Sequence, residues 1–281
     1  MEWLVDHKIP IGQWAKAFVD WLTINAAWFF DFIALVLEHV IDAILWVLQA
    51  PHPLVVVAIT VVLAWVVRRK ISFAIFVLAA MLLIINQGYW EETTETLALV
   101  LSATLVCMIV GVPIGVAAAH RPWLYEALRP ILDLMQTIPT FVYLIPALIL
   151  FGLGMVPGLI ATVIFAVPSP IRLTQLGISS TPKALIEAGE AFGATKRQLL
   201  WKVELPYALP NIMAGLTQTI MLSLSMVVIA ALVGADGLGV PTLRALNQVN
   251  IARGFEVGVA IALVAIVLDR FFRKEPASGR E

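Results

Sequence analysis

Charge is what this sequence lacks most. Only 13% of its 281 residues are Asp, Glu, Lys or Arg, against roughly 25% in soluble domains. The deficit runs through most of the chain, which excludes a globular protein with one anchor. The 61% apolar composition is that of a membrane protein. Cysteine is scarce too. Cys107 stands alone inside an apolar run, so no internal disulfide can form and the thiol reads as buried. The four histidines, His7, His39, His52 and His120, are scattered, and no close His/Cys cluster, HExxH or GxSxG occurs. Intramembrane enzyme chemistry therefore has no support. A GxxxxGK(S/T) phosphate loop is also absent, so this chain is not expected to hydrolyse ATP. The opening MEWLVDHK lacks the basic stretch, apolar core and cleavage site of a leader, and is expected to be retained.

Long apolar runs are what the sequence has in abundance. A bilayer span needs roughly 20 mostly apolar residues. Seven stretches come close: 54–67, 71–87, 97–119, 131–151, 156–178, 208–233 and 255–268. The segment 28–49 differs, because Asp31, Glu38 and Asp42 recur at steps of seven and four and so share one helical face. Phe30, Ile33, Leu37, Ile41, Ile44 and Leu48 take the other. Three carboxylates in hydrocarbon would be costly, which argues for an amphipathic helix at the interface. The other arrangement is an eighth span whose acidic stripe faces protein.

Charge sets the expected orientation. Arg68, Arg69, Lys70, Arg121, Arg129, Lys183, Lys196, Arg197, Lys202, Arg270, Arg273, Lys274 and Arg280 fall in alternate connections or after the last span. The opposite side carries Glu91, Glu92 and Glu95, with Arg244, Arg253, Lys8 and Lys16. The expectation is an outside N-terminus and a cytoplasmic C-terminus. Gly111 with Gly115, and Gly254 with Gly258, are spaced for close helix contact. Pro113, Pro139, Pro146 and Pro168 can kink spans. Asp133 and Arg172 lie near span ends and read as a helix–helix pair or as snorkelling groups. The stretch 234–239, GADGLG, reads as a flexible turn, a gate or a docking loop.

Between the fifth and sixth spans lies TPKALIEAGEAFGATKRQLLWKVELPYALP. Thr181 is suited to an N-cap and Pro182 to the first helical position. Leu185, Ala188 and Phe192 share one side of the helix that follows. Gly193 suits a left-handed end, and Thr195 with Gln198 forms a capping-box pattern for a second helix, bearing Leu199, Leu200 and Val203, which Pro206 should stop. A helix-turn-helix on the basic side results. An amphipathic hairpin resting on lipid would share these features.

The spacing resembles the EAA loop of ABC-importer permeases: Glu187-Ala188-Gly189, three residues, Gly193, nine residues, then Val203-x-Leu205-Pro206. Gly189 departs from alanine and Val203 from isoleucine; both stay small or β-branched. The stretches LDLMQTIPTFVYLIPALILFGLG, GLIATVIFAVPSPIRLTQLGI and GLTQTIMLSLSMVVIAALVGADGLG are similar to permeases of glycine betaine, proline betaine and choline importers. The resemblance covers residues ~95–270. It implies an all-α polytopic bundle like a type I ABC importer permease, with about seven spans and an N-terminal amphipathic helix. The implied division is a tail with that helix in 1–52, two accessory helices in 53–90, a permease core in 91–272 with a coupling loop at 180–207, and a cytoplasmic tail in 273–281.

The resemblance further implies a multi-pass bacterial inner-membrane subunit, itself not an enzyme. It would work by alternating access with a separate ATP-binding cassette subunit, which holds ATP and Mg. Other implied partners are a periplasmic or lipid-anchored receptor and a second permease copy; no nucleic acid is involved and no cofactor sits on this chain. Glu187, Ala188, Gly189, Gly193, Leu205 and Pro206 are carried over as the ATPase-coupling residues. The implied substrate is a quaternary amine, choline or a betaine. Such cations favour aromatic faces, which makes Phe141, Tyr143 and Trp90 pathway candidates, although membrane aromatics usually pack or sit at interfaces. An ion-coupled secondary transporter or an osmotic channel would not need this loop.

Overall fold

The computed structural model describes residues 10–273, all of whose regular elements are helical; His7, Lys8, Lys274 and Arg280 lie outside the described residues. In order the helices are α1 (Ile11–Asn25), α2 (Ala27–Gln49), α3 (Pro53–Arg68), α4 (Ile71–Asn86), α5 (Trp90–His120), α6 (Pro122–Thr137), α7 (Thr140–Phe151), α8 (Met155–Ala166), α9 (Pro168–Ser179), α10 (Lys183–Ala191), α11 (Lys196–Leu199), α12 (Leu205–Ala230), α13 (Gly239–Asn247) and α14 (Ile251–Phe272). A π-helical turn, Leu200–Glu204, joins α11 to α12.

Four continuous stretches are long and apolar enough to cross a bilayer: Trp90–His120, Met155–Ser179, Lys196–Val233 and Ile251–Phe272. Two bent pairs, α2 with α3 (98°) and α6 with α7 (95°), raise the number to as many as six. The expected seven are therefore not seven straight spans. Helices α3 and α4 have 16 residues each, about 24 Å at 1.5 Å per residue. The run expected at 131–151 is broken. Ile138 and Pro139 are extended, with ψ of 132° and 131°, because a residue before proline is pushed out of the helical region.

The core sits where α5, α8, α9, α12 and α14 meet. Leu99, Ala103, Leu159, Ile220, Val227 and Val264 are buried together. Cβ atoms added at Gly111 and Gly115 would come within 2.8 Å of Pro170 and 2.7 Å of Ile171 and Thr174. Only hydrogen at these positions lets α5 and α9 touch backbone to backbone. The second glycine pair does not act this way: a Cβ on Gly254 meets only Ala245 at 3.8 Å, and one on Gly258 meets nothing within 4 Å. Cys107 is buried in a second cluster, with Leu132, Ala166, Val167 and Ile171.

The bundle has two chemically distinct ends. At one, Glu91, Glu92, Glu95, Asp236 and Arg244 line a shared cleft. At the other, Arg68 Nε donates to the carbonyl of Arg270, and Arg172 pairs with Asp133 and reaches Gln136. Helix α2 packs Leu37 and Ile41 on the bundle and leaves Asp31, Glu38 and Asp42 exposed. Its contacts collect at the acidic end. Phe30 meets the Phe151 ring edge-on, Gln49 Nε2 donates to Thr94 Oγ1 at 2.8 Å, and Glu38 and Asp42 face Gly154 and Asp236 across a cleft.

The turn after α12 is packed rather than free. Ala235, Leu238 and Gly239 are buried, and the Leu238 N–H donates to Thr96 Oγ1 at 2.8 Å. A Cβ on Gly239 would lie 2.3 Å from the Val227 carbonyl oxygen. Only Gly234 and Asp236 are exposed there.

Candidate functional site

Helix α10 begins one residue later than expected. Pro182 takes ψ 130° and becomes the N-cap itself, without a side-chain hydrogen bond. Thr181 turns inward, buried, and caps nothing. The other end forms as its residues dictate. Gly193 has φ +77°; its N–H donates to Glu190 O (2.8 Å), and the Ala194 N–H donates to Gly189 O (3.0 Å). This double closure is a Schellman end. Thr195 then caps α11: its Oγ1 accepts from the Gln198 N–H at 3.3 Å, while Gln198 Oε1 accepts from the Thr195 N–H at 2.8 Å.

Pro206 does not stop this second helix. A proline ring strikes the carbonyl four residues back, here Lys202. The chain widens into the π turn at Leu200–Glu204, and the Leu205 N–H donates five residues back to Leu200. The helix thus runs unbroken from Lys196 to Val233. Such single π turns accommodate local strain inside α-helices.

The two helices of the loop bury opposite things. On α11 and the π turn, Leu199 is buried and Val203 half-buried. Gly189 lies against Leu199, so that a Cβ there would approach its Cδ2 to 2.5 Å and turn the end of that side chain aside; the glycine lets Leu199 lie this close. Helix α10 instead presents its apolar stripe. Leu185, Ala188 and Phe192 are all exposed, Phe192 to 93%. Beside them Glu187 is exposed and makes no hydrogen bond or ion pair among the described residues. Glu187, Ala188 and Gly193 thus share one uncovered surface, Gly189 forms its seam, and Leu205 with Pro206 begin the helix that leaves it.

One buried acid at this site escaped sequence reading. Glu204, 8% exposed, faces His120 at the end of α5, with Nε2 3.0 Å from Oε2 and 3.2 Å from Oε1. Helical spacing links residues three or four apart, and nothing local pairs positions 84 residues apart.

The aromatic candidates do not converge. Tyr143 belongs to a cluster with Leu144, Ala161 and Met226, and its hydroxyl donates to Met135 O at 2.7 Å across the α6–α7 break. Phe141, on the same short helix, is 56% exposed. Trp90 packs elsewhere, with Val57, Ala64 and Met81 of α3 and α4.

Residues 111–273 match the family model described as "Binding-protein-dependent transport system inner membrane component". The chain is 47% identical over 263 residues to the glycine betaine transport system permease protein OpuAB of Bacillus subtilis, covering 94% of this chain and 93% of that one. It is 44% identical over 265 residues to the glycine betaine/carnitine transport permease protein GbuB of Listeria monocytogenes, covering 93% and 94%. It is 40% identical over 277 residues to the glycine betaine/proline betaine transport system permease protein ProW of Escherichia coli, covering 98% and 77%. Among solved structures, an inward-facing form of the MetNI methionine ABC transporter superposes with a TM-score of 0.57 at 27% identity, over 67% of this chain and 92% of that one.

Proposed function

The chain belongs to the binding-protein-dependent transport system inner membrane components, and on that premise we propose that it is the permease of an ATP-driven importer for glycine betaine or a close quaternary ammonium relative. One observation carries the coupling role: the apolar stripe Leu185–Ala188–Phe192, on a loop at the basic end, is left exposed by the described residues. A stripe with an adjacent unpaired carboxylate suits a partner protein that supplies both an apolar groove and a base. We assign that partner as a separate ATPase subunit, which holds ATP and Mg. Glu187 accepts a charge-assisted hydrogen bond from it, and Gly193 keeps the corner tight enough for close approach.

The basic end faces the cytoplasm in this reading, as the positive-inside rule requires, with the N-terminus outside. Helix α2 then rests along the outer interface, its carboxylates toward water. A periplasmic or lipid-anchored receptor delivers substrate to that end, and two permease copies alternate access between them. Phe141, Tyr143 and Trp90 are retained as pathway candidates. Phe141 suits the role best, since Tyr143 bridges a helix break and Trp90 packs against α3 and α4.

Reconstitution with its ATPase and receptor tests this. ATP-dependent uptake of glycine betaine is expected in the parent. Glu187→Arg should leave the permease in the membrane while uptake falls at least tenfold. Uptake that ignores vanadate and follows a sodium gradient would overturn the reading.

A further inference from the structure

The coupling motif fixes Val203, Leu205 and Pro206 but leaves the position between them open, and here that position holds a buried acid. Three facts bear on it. Glu204 ends the π turn, where the loop becomes α12. His120 ends α5, which α9 grips at Gly111 and Gly115. The imidazole makes two contacts: Nδ1 lies 2.9 Å from Val116 O, and Nε2 lies 3.0 Å from Glu204. A carbonyl only accepts, so Nδ1 carries a proton. Nε2 is thus the nitrogen that shares a hydrogen bond with the Glu204 carboxyl group.

We propose that Glu204 and His120 are positioning residues that make α5 move with the coupling loop. A displacement of α10 and α11 reaches α12 through the continuous helix. It reaches α9 by direct packing, with Ala208 and Asn211 against Gly177, and it reaches α5 by way of the pair, whose acid is buried and whose imidazole is half-exposed, beside apolar contacts of Val116 and Ala119. Without the pair, apolar side chains alone, among the described residues, join the end of α5 to the start of α12, and α5 falls out of step with the loop. The inference rests on the proposed coupling role of the loop.

The test measures substrate taken up per ATP hydrolysed, in proteoliposomes holding the complete complex. His120→Ala and Glu204→Ala should each lower that ratio roughly tenfold, and the double variant should be no worse than the poorer single, as for two groups acting through one contact. Glu204→Gln keeps a hydrogen bond, because its amide donates to Nε2 of a ring protonated at Nδ1; it should stay within about twofold of the parent. Multiplying effects in the double variant would overturn the proposal, as would a Glu204→Gln ratio as low as that of Glu204→Ala. Uptake and hydrolysis falling in step, with the ratio untouched, would make the pair a fold stabiliser and overturn it too. A parent complex without ATP-driven uptake would instead refute the importer assignment on which the inference stands.

Discussion

Two turns rich in small residues lie at opposite ends of α12, and the chain treats them in opposite ways. The turn at 234–239 is sealed by its own protein: Leu238 is buried, its N–H is satisfied by Thr96, and Gly239 lies against the Val227 carbonyl. The loop at 183–204 is sealed on one helix and open on the other, with Leu199 buried and Phe192 almost wholly exposed. Both bear glycines, and in sequence the first reads as a flexible turn and the second as a helix-turn-helix. A turn whose apolar groups find partners within the chain is structural. A turn that keeps an apolar stripe uncovered suits another molecule, which in the proposed function is the ATPase.

The contrast can be broken at either end. Phe192→Asp should have the largest effect. Burying a Phe side chain is worth about 1.5–3 kcal/mol, and the carboxylate adds a desolvation penalty, so ATPase association should weaken by a hundredfold or more. Membrane abundance should be unchanged. Pull-down of the ATPase by the permease checks both. Gly239→Ala comes next: the added methyl must displace the Val227 carbonyl, and overpacking of this kind costs about 1–3 kcal/mol. The expected result is a lower unfolding temperature in detergent, with ATPase affinity intact. Thr96→Val removes the acceptor of the buried Leu238 N–H, a loss of about 1–3 kcal/mol, again visible only in thermal unfolding. Asp236→Asn, at the exposed tip, should change stability by less than about 0.5 kcal/mol. A shift in melting as large as that of Thr96→Val would show the tip to be structural after all.

Some of this was legible in the sequence because its causes are local. The Thr195–Gln198 capping box and the Gly193 end depend on residues within five positions of each other, and both formed as read. The apolar stripe of α10 was legible from spacing, but its exposure was not, because nothing local says which face the rest of the chain covers. Pro206 misled for a physical reason: proline breaks a regular helix, yet a wider turn upstream relieves the clash. Thr181 misled because Pro182 took the extended conformation instead. Gly254 and Gly258 carry the same spacing as Gly111 and Gly115, but α13 meets Gly254 only at ordinary contact distance through Ala245, and a Cβ on Gly258 would meet nothing within 4 Å. The Glu204–His120 pair had no sequence signal at all.

The π turn has a further consequence, one of clocking. An extra residue in a helical turn rotates everything beyond it by about 100° relative to a regular helix. The five residues 200–204 therefore set the angle between the exposed stripe of α10 and the face α12 turns to the core. Removing Trp201 or Lys202 would keep every motif residue by name and aim the exposed stripe of α10 in another direction.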